Sequence, residues 1–439
     1  MIAQHSISFQ APQKAMIKYI LVITFAWFLS NSPLRADSLT LSRTYELAYA
    51  NAPVLQQEPL LEEAYQMQID LLKARLFPDL TMQGQATYQS EVVSLPFSMP
   101  NTEPIDLPKE RAQATLNINQ VILDGGRNKV ARELENDQLQ IDKKQLEFDK
   151  HQIKVQVNDI FFSIIMARQK ERILTNTFEN LRQKISTLQV SVKNGVVLES
   201  ELLKLETELL KLQQQMHQNS RHIEAAIKIL SMLTGKEFDK EISLIEPETQ
   251  FAIQEISIQR PELEIIPLQQ QKIETSENMI SAQNRPQLNA FVQGGVGYPN
   301  PLNFFDDATS PFYLAGLKFN WKIWDWNAAG KEKAVLNIQQ LKLEKEQYQR
   351  LRNIMTNLEN IKANISQLEQ TINEDRNILD KQSQITRLSS VQLENGVITS
   401  TEYLDQLNSE KQSRLNLEMH LVQLQQQKIN YLTVAGKDF

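Results

Sequence analysis

Five histidines and no cysteine bound the chemistry open to this 439-residue chain. His5, His151, His217, His222 and His420 include no pair at i, i+3 or i, i+4, the spacings that aim two imidazoles at one metal from a helix. Without a thiol there is no Cys-type zinc site, thiolate nucleophile, disulfide or iron–sulfur cluster, and no cysteine to carry a lipid anchor. Gly125-Gly126 stands alone, which is too little for a phosphate-cradling loop. Carboxylates are plentiful, at 53 Asp and Glu, yet most fall on helix faces at solvated spacings and none is set apart as an acid–base pair. These residues point away from an enzyme, a metal centre and a bound cofactor. With 46 Lys and Arg the formal net charge is -7, and this acidic balance argues against binding duplex nucleic acid.

One segment departs from the otherwise soluble look. Met16 to Leu29 reads MIKYILVITFAWFL, with an apolar run from Tyr19 to Leu29, and Asn31-Ser32-Pro33-Leu34-Arg35-Ala36 follows. This order is expected of a secretory signal peptide over residues 1–36, because the run is too short to span a bilayer. A buried or interfacial helix is the alternative. Either Met1 or Met16 serves as a start. Residues 1–36 carry Lys14, Lys18 and Arg35 and no acid, so the processed chain holds 43 bases against 53 acids.

At roughly 150 residues per domain the length suggests about three domains, but an internal duplication replaces that estimate. Asn51-Ala52-Pro53 with Pro59-Leu60 recurs as Gln259-Arg260-Pro261 with Pro267-Leu268, and Phe77-Pro78-Asp79-Leu80 recurs as Arg285-Pro286-Gln287-Leu288, at an offset of 208. Ile122-Leu123-Asp124 then matches Ile323-Trp324-Asp325, Asn194-Gly195-Val196-Val197 matches Asn395-Gly396-Val397-Ile398, and Gly235-Lys236-Glu237-Phe238 matches Gly436-Lys437-Asp438-Phe439, at an offset of 201. An offset that changes once means two homologous halves differing by seven residues in one loop. The expected division is a first repeat over 37–238, an equatorial linker over 239–260 and a second repeat over 261–439.

Each half has the same series of elements. A helix-like stretch, Leu39 to Phe77 or Glu262 to Arg285, is stopped by Pro78 or Pro286. Alternation with period two follows, predicting strands over 79–90 and 111–123 and again over 287–298 and 312–323, long enough for tilted membrane-spanning strands. The polar face carries Thr81, Gln83, Gln85, Gln113, Asn117, Lys318 and Asn320, opposed by an apolar face. Pro96, Pro100, Pro104 and Pro108, then Pro299, Pro301 and Pro311, mark the intervening segments as connections. Helical tracts Asp124 to Lys193 and Asp325 to Glu394 come next, each about 70 residues or roughly 105 Å. Gly195 and Gly396 break them at hairpin tips, and return helices follow. The first return helix carries Leu202, Leu205, Leu209, Leu212, Met216, Asn219, Ile223, Ala226, Leu230 and Leu233, a heptad seam.

Long heptad helices alone would suggest a cytoplasmic coiled coil, and four strands alone a small sandwich. The signal peptide speaks against the first. Against the second, four strands cannot close a barrel, which takes about eight, and an open sheet would leave edges unsatisfied in lipid. Closure from two, three or four copies would give 8, 12 or 16 strands. Trp321, Trp324 and Trp326 cluster where the fourth strand turns into helix, as an interfacial aromatic belt would place them, or as core residues at a helix start.

The duplicated order of helix, proline, strand, loop, strand, "LDGGR" (Leu123 to Arg127) or "WDWN" (Trp324 to Asn327), long helix, "NG" turn and return helix ending in "LTG" (Leu233 to Gly235) or "VAG" (Val434 to Gly436) resembles the TolC-like outer membrane efflux protein family. The resemblance covers Asp37 to Phe439. It implies a mostly α chain with a membrane β-barrel contribution, four strands completing a twelve-strand barrel in a homotrimer, continued by an α-helical periplasmic tunnel. It implies residence in the outer membrane of a Gram-negative bacterium, embedded in its lipid. The partners implied are a periplasmic adaptor and an inner-membrane pump of RND, MFS or ABC type, docking at tips formed by Asn194, Gly195 and Val196 and by Asn395, Gly396 and Val397.

By the same resemblance, Glu402 and Asp405, six and nine positions after Gly396, match paired acidic rings inside the tunnel entrance, with Glu201 as the first-repeat counterpart of Glu402. Residues three apart share a helix face, so three chains would stack two carboxylate rings that favour cations. Ordinary solvated helix charges are the other reading. Leu393 and Ile398 stand where the family has an aromatic hydroxyl and an arginine, so its familiar closed-state links are not reproduced. The implied function is a passive exit duct for small toxic compounds or secreted protein. Alternatives are a duct dedicated to type I protein secretion and, further off, a periplasmic adaptor, which would have one hairpin and a lipoyl-like domain.

Overall fold

The computed structural model describes residues 38–92, 108–247, 257–303 and 306–438. The expected signal peptide, Pro96, Pro100, Pro104 and Phe439 lie outside the described residues. In chain order the elements are β1 (Ser38–Thr40), α1 (Leu41–Asn51), a short 3-10 turn (Leu55–Gln57), α2 (Glu58–Ala74), β2 (Asp79–Tyr88), β3 (Glu110–Leu123), α3 (Arg127–Lys193), α4 (Glu199–Thr234) and β4 (Ser243–Ile245). They continue with α5 (Pro261–Gln283), β5 (Gln287–Tyr298), β6 (Ser310–Asn320), α6 (Ala328–Glu394) and α7 (Ser400–Ala435). Helices α3 and α6 are each 67 residues and α4 and α7 each 36, so the duplication extends to element length. The fold class expected from the sequence is borne out: a mostly helical chain with two strand pairs and two long hairpins.

Two expectations change. The stretch Leu39 to Phe77 is not one helix. Pro53 lacks an N–H and biases the residue before it away from the helical region, so α1 ends at Asn51 and the chain restarts at α2. The fourth strand, expected over 312–323, is Ser310–Asn320. Within the expected linker, β4 pairs in parallel with β1, Leu39 opposite Leu244.

The chain forms two compact units, each drawing on both repeats. Of the described residues, the first takes 38–51, 153–247 and 364–430. Its core is built by heptad spacing. Leu174, Leu181 and Leu188 on α3 and Leu205 and Leu212 on α4, each seven apart within its helix, are buried with Leu393, Tyr403 and Leu407. Asn219 is buried in the α4 seam and donates from Nδ2 to the Ala167 carbonyl at 2.8 Å. A buried amide with one fixed partner pins the register of the two helices where an apolar residue would let them slide. Farther along, Val157, Phe161, Phe162 and Ile165 pack with Leu41, Tyr45, Val422 and Ile429.

Of the described residues, the second unit takes 52–92, 108–152, 257–303, 306–363 and 431–438 and holds an antiparallel sheet ordered β2-β3-β5-β6. Leu80, Met82, Leu116, Ile118, Val292, Val296, Tyr313, Leu317 and Phe319 are exposed, all on one face by the register of the ladders. The opposite face is polar on β2 and, apart from Val121, on β3. On β5 and β6, however, it also carries Phe291, Phe312 and Leu314, so the alternation is less clean there than the first hairpin suggests. In the same unit, Asp137 on α3 accepts from Gln271 Nε2 at 2.9 Å and from Thr275 Oγ1 at 2.6 Å on α5.

Each strand-to-helix turn needs two consecutive residues in the left-handed region. Gly125 and Gly126 supply them at φ of 70° and 88°, and their repeat partners Trp326 and Asn327 at 55° and 60°. Tryptophan is strained there. Asp124 caps the first turn, with Oδ1 accepting from Gly126 N at 2.8 Å and Oδ2 from Asn128 N at 2.7 Å. Asp325 accepts from Ala329 N at 3.0 Å. Asp124→Ala should therefore destabilise the chain by about 1 kcal/mol, seen as a lowered thermal midpoint in detergent, with a smaller fall for Asp325→Ala. Equal midpoints for wild type and Asp124→Ala would remove the cap from this account.

Candidate functional site at the hairpin tips

Both tips close in the same way. Val196 N donates to the Ser191 carbonyl at 3.0 Å and Gly195 N to Val192 at 2.9 Å, and Val397 N donates to Gln392 at 2.8 Å and Gly396 N to Leu393 at 3.1 Å. These paired bonds are the Schellman termination, which requires a left-handed residue after the helix, and Gly195 and Gly396 hold φ of 72° and 68°. Asn194 and Asn395 end the helices, and Val196 and Val397 are exposed at the tips.

Beyond the second tip the residues Thr399-Ser400-Thr401-Glu402 form a capping box. Thr399 N donates to Glu402 Oε2 at 2.8 Å, and Glu402 N donates to Thr399 Oγ1 at 3.2 Å. Glu402 thus anchors the start of α7 while remaining exposed. Asp405, one turn on, is exposed as well, whereas Tyr403 and Leu407 on the other side of α7 are buried. The expected pair therefore shares an open face.

Glu201 behaves differently from its twin. The first repeat has Leu198 where the second has Thr399, so no side chain caps α4. Glu201 instead reaches the other hairpin, with Oε2 accepting from Ser400 N at 2.7 Å and Oε1 from Lys204 Nζ at 2.8 Å. It lies near enough to Glu402 for the two charges to repel. Both carboxyls nevertheless titrate below the usual value of 4.5. For Glu402 the main cause is the Thr399 backbone N–H, helped by the Thr399 hydroxyl. For Glu201 it is the Lys204 ammonium, with Ser400 N adding to it.

Further ties cross between the hairpins in this unit. Lys184 on α3 pairs with Glu394 at the end of α6, and its Nζ lies 5.8 Å from the centre of the Tyr403 ring. Lys411 on α7 sits 3.9 Å from Glu208 on α4, and Arg172 on α3 sits 3.4 Å from Glu418 on α7. Lys184, Lys411 and Glu208 are largely buried, where a broken pair leaves an uncompensated charge. Burial pushes the Tyr403 hydroxyl up to about 12, with Glu410 and Glu394 adding to it. Leu393 is buried in the apolar cluster and Ile398 packs against it. The capping box was legible as a Thr-x-x-Glu pattern that sequence reasoning passed over. Lys184–Glu394 spans 210 positions and had no local signal.

The tryptophans lie in the other unit. Trp321 follows β6 directly, and Trp324 and Trp326 meet edge to face with ring centres 5.9 Å apart. Trp326 is 81% exposed on its strained backbone. No helix among the described residues is long and apolar enough to cross a membrane.

A sheet of four strands joined to two long helical hairpins is the fold of outer membrane channel proteins. The outer membrane protein VceC of Vibrio cholerae superposes with a TM-score of 0.67 at 13% identity, covering 91% of this chain and 96% of that one. CusC, described with conformational changes accompanying folding and transmembrane channel formation, gives 0.69 at 15% identity over 93% and 95%. The open-state MtrE outer membrane channel of Neisseria gonorrhoeae gives 0.65 at 13% identity over 92% and 93%. Residues 44–236 match the outer membrane efflux protein family. The resemblance read from the sequence is borne out by that match and by the shared fold. No curated protein matches the chain by sequence.

The capping box separates two roles of Glu402. Glu402→Gln keeps an acceptor for Thr399 N but not the charge, and should lower the thermal midpoint less than Glu402→Ala does. Because the folded carboxyl titrates below 4.5, its contribution is complete above that pH and is lost as pH falls through the depressed value. Carbon-detected NMR titration of Glu402 should find that midpoint below 4.5; one above it would contradict the cap.

Proposed function

We propose that the chain is the outer membrane exit duct of a tripartite export machine, conducting cargo passively from a pump and adaptor to the exterior. The observation that carries this reading is the antiparallel sheet with an exposed apolar face and two open edges, borne on a chain with two 67-residue helices. Such a sheet is stable in lipid only when closed. Three copies would supply twelve strands, enough for a water-filled lumen lined by residues such as Gln83, Gln113 and Asn117. Signal-directed export through residues 1–36 and the aromatic group Trp321, Trp324 and Trp326 at the membrane boundary agree with residence in the outer membrane, with the hairpins in the periplasm.

In this reading Gly195 and Gly396 mark the tips that meet the adaptor, and Glu402 and Asp405 form two stacked acidic rings at the entrance. Glu201 contributes less free charge than its twin, because both its oxygens are engaged. Cargo is small toxic compounds or secreted protein, and deletion of the gene sorts these by drug susceptibility against loss of secretion.

Two measurements on the protein in planar bilayers test the duct. Glu402→Gln combined with Asp405→Asn should reduce cation preference and relieve block by multivalent cations; unchanged selectivity would take both residues out of the entrance. Lys184→Ala, which removes the tie to Glu394, should raise conductance severalfold while Lys184→Arg leaves it near wild type. Equal conductance in all three would show that the hairpin ties do not hold the entrance shut.

A further inference from the structure

The two strand hairpins are one object built twice. Asp79 pairs with Asn119 and Gln287 with Asn320, and moving the first strand by 208 and the second by 201 carries one pair onto the other. The same shifts carry Leu80–Ile118 onto Leu288–Phe319, Met82–Leu116 onto Ala290–Leu317 and Ala86–Ala112 onto Gly294–Tyr313. The ladder register is therefore conserved to the residue between repeats.

The seam between the repeats is also on view. On it β3 meets β5 with Leu116 opposite Gly294, Ile118 opposite Val292 and Asn119 opposite Phe291. β2 begins at Asp79, opposite Asn119, so the last part of β3 has no partner on that side. It remains a strand through Leu123 because β5 continues beside it, with Gln120 opposite Ala290, Val121 opposite Asn289 and, past a bulge, Leu123 opposite Leu288. The twin stretch after β6, residues 321–324, likewise lies beyond the start of its hairpin partner β5. It is not a strand. The strand ends where the partner ends, and what is missing beside it is a copy of β2, the first-repeat equivalent of β5.

We infer that β6 of one copy pairs with β2 of the next in the register that the β3–β5 seam dictates: Leu317 opposite Ala86, Lys318 opposite Gln85, Phe319 opposite Gly84 and Asn320 opposite Gln83. The inference rests on closure by several copies and adds to it the residues that meet. Residues 321–324 then join the ladder, with Trp324 beside Leu80 past a repeated bulge. Faces agree: Leu317 and Phe319 lie on the apolar face with Ala86 and Gly84, and Lys318 and Asn320 on the polar face with Gln85 and Gln83. A slip by one residue would turn Lys318 against the apolar face. A slip by two keeps the faces, and only the seam chooses against it.

The cysteine-free sequence makes the register measurable, because any disulfide comes from introduced residues. Leu317→Cys is combined in turn with Met82→Cys, Gly84→Cys, Ala86→Cys and Tyr88→Cys in the full chain, expressed in the outer membrane and oxidised with copper phenanthroline. A two-residue slip moves the partners apart by about 6.8 Å along the strand, beyond disulfide reach. The Ala86→Cys pair should convert most of the protomer band to linked multimers, several-fold more than the other three, with each single-cysteine variant unlinked. Strongest linkage by another pair would overturn the register and leave closure standing. No linkage in any pair, with Leu116→Cys/Gly294→Cys still forming its disulfide within the chain, would overturn both.

Discussion

Lipid offers no hydrogen bonds, so every backbone group of a membrane sheet must find its partner in protein. The rest of this molecule can be understood from that constraint. In the proposed duct the strands alternate because one face meets lipid and the other water, and a single chain supplies only four strands alongside two long hairpins. β2 and β6 are left as edges whose outward side chains are apolar, the combination that soluble proteins avoid on exposed strands. In the proposed duct, association would be a condition of stability in the membrane as well as a means of forming a lumen.

The hairpins are held together by a different force. In water, apolar burial drives helices together, and Leu174, Leu181, Leu188, Leu205 and Leu212 provide it at heptad intervals. Uniform leucine contact would allow sliding, and the buried Asn219 amide and the Lys184 and Lys411 ion pairs resist it. The strands therefore obey a period of two and the hairpin helices a period of three and a half. The strand-to-helix turns with Asp124 and Asp325 are the points of exchange between the two.

Much of this was legible in the sequence because both periods and the duplication are local or repeated signals. The strands, the two glycine tips and the long helices follow from alternation, left-handed turns and the absence of proline. Other features depended on contacts that no local pattern announces. β4 pairs with β1 across about two hundred residues. The fourth strand ends early because its length depends on a neighbour, a fact about pairing and not about the residues Trp321 to Trp324. At the tips, Glu402 and Asp405 do share an exposed face, but the engagement of Glu201 with Ser400 arises from geometry between hairpins. Its only trace in the sequence is Leu198 standing where Thr399 stands in the other repeat.

That single exchange has a mechanical effect. In the second repeat the helix start is held by its own residues, whereas the carboxylate spared in the first repeat supports Ser400, the opening residue of α7. Pulling the two tips apart strips an acceptor from the Ser400 N–H, and the first turn of α7, which carries Glu402, loses a restraint as the gap widens. The helix that bears the charges loosens in step with the separation, so displacement of one hairpin is transmitted to the other as a change in stiffness.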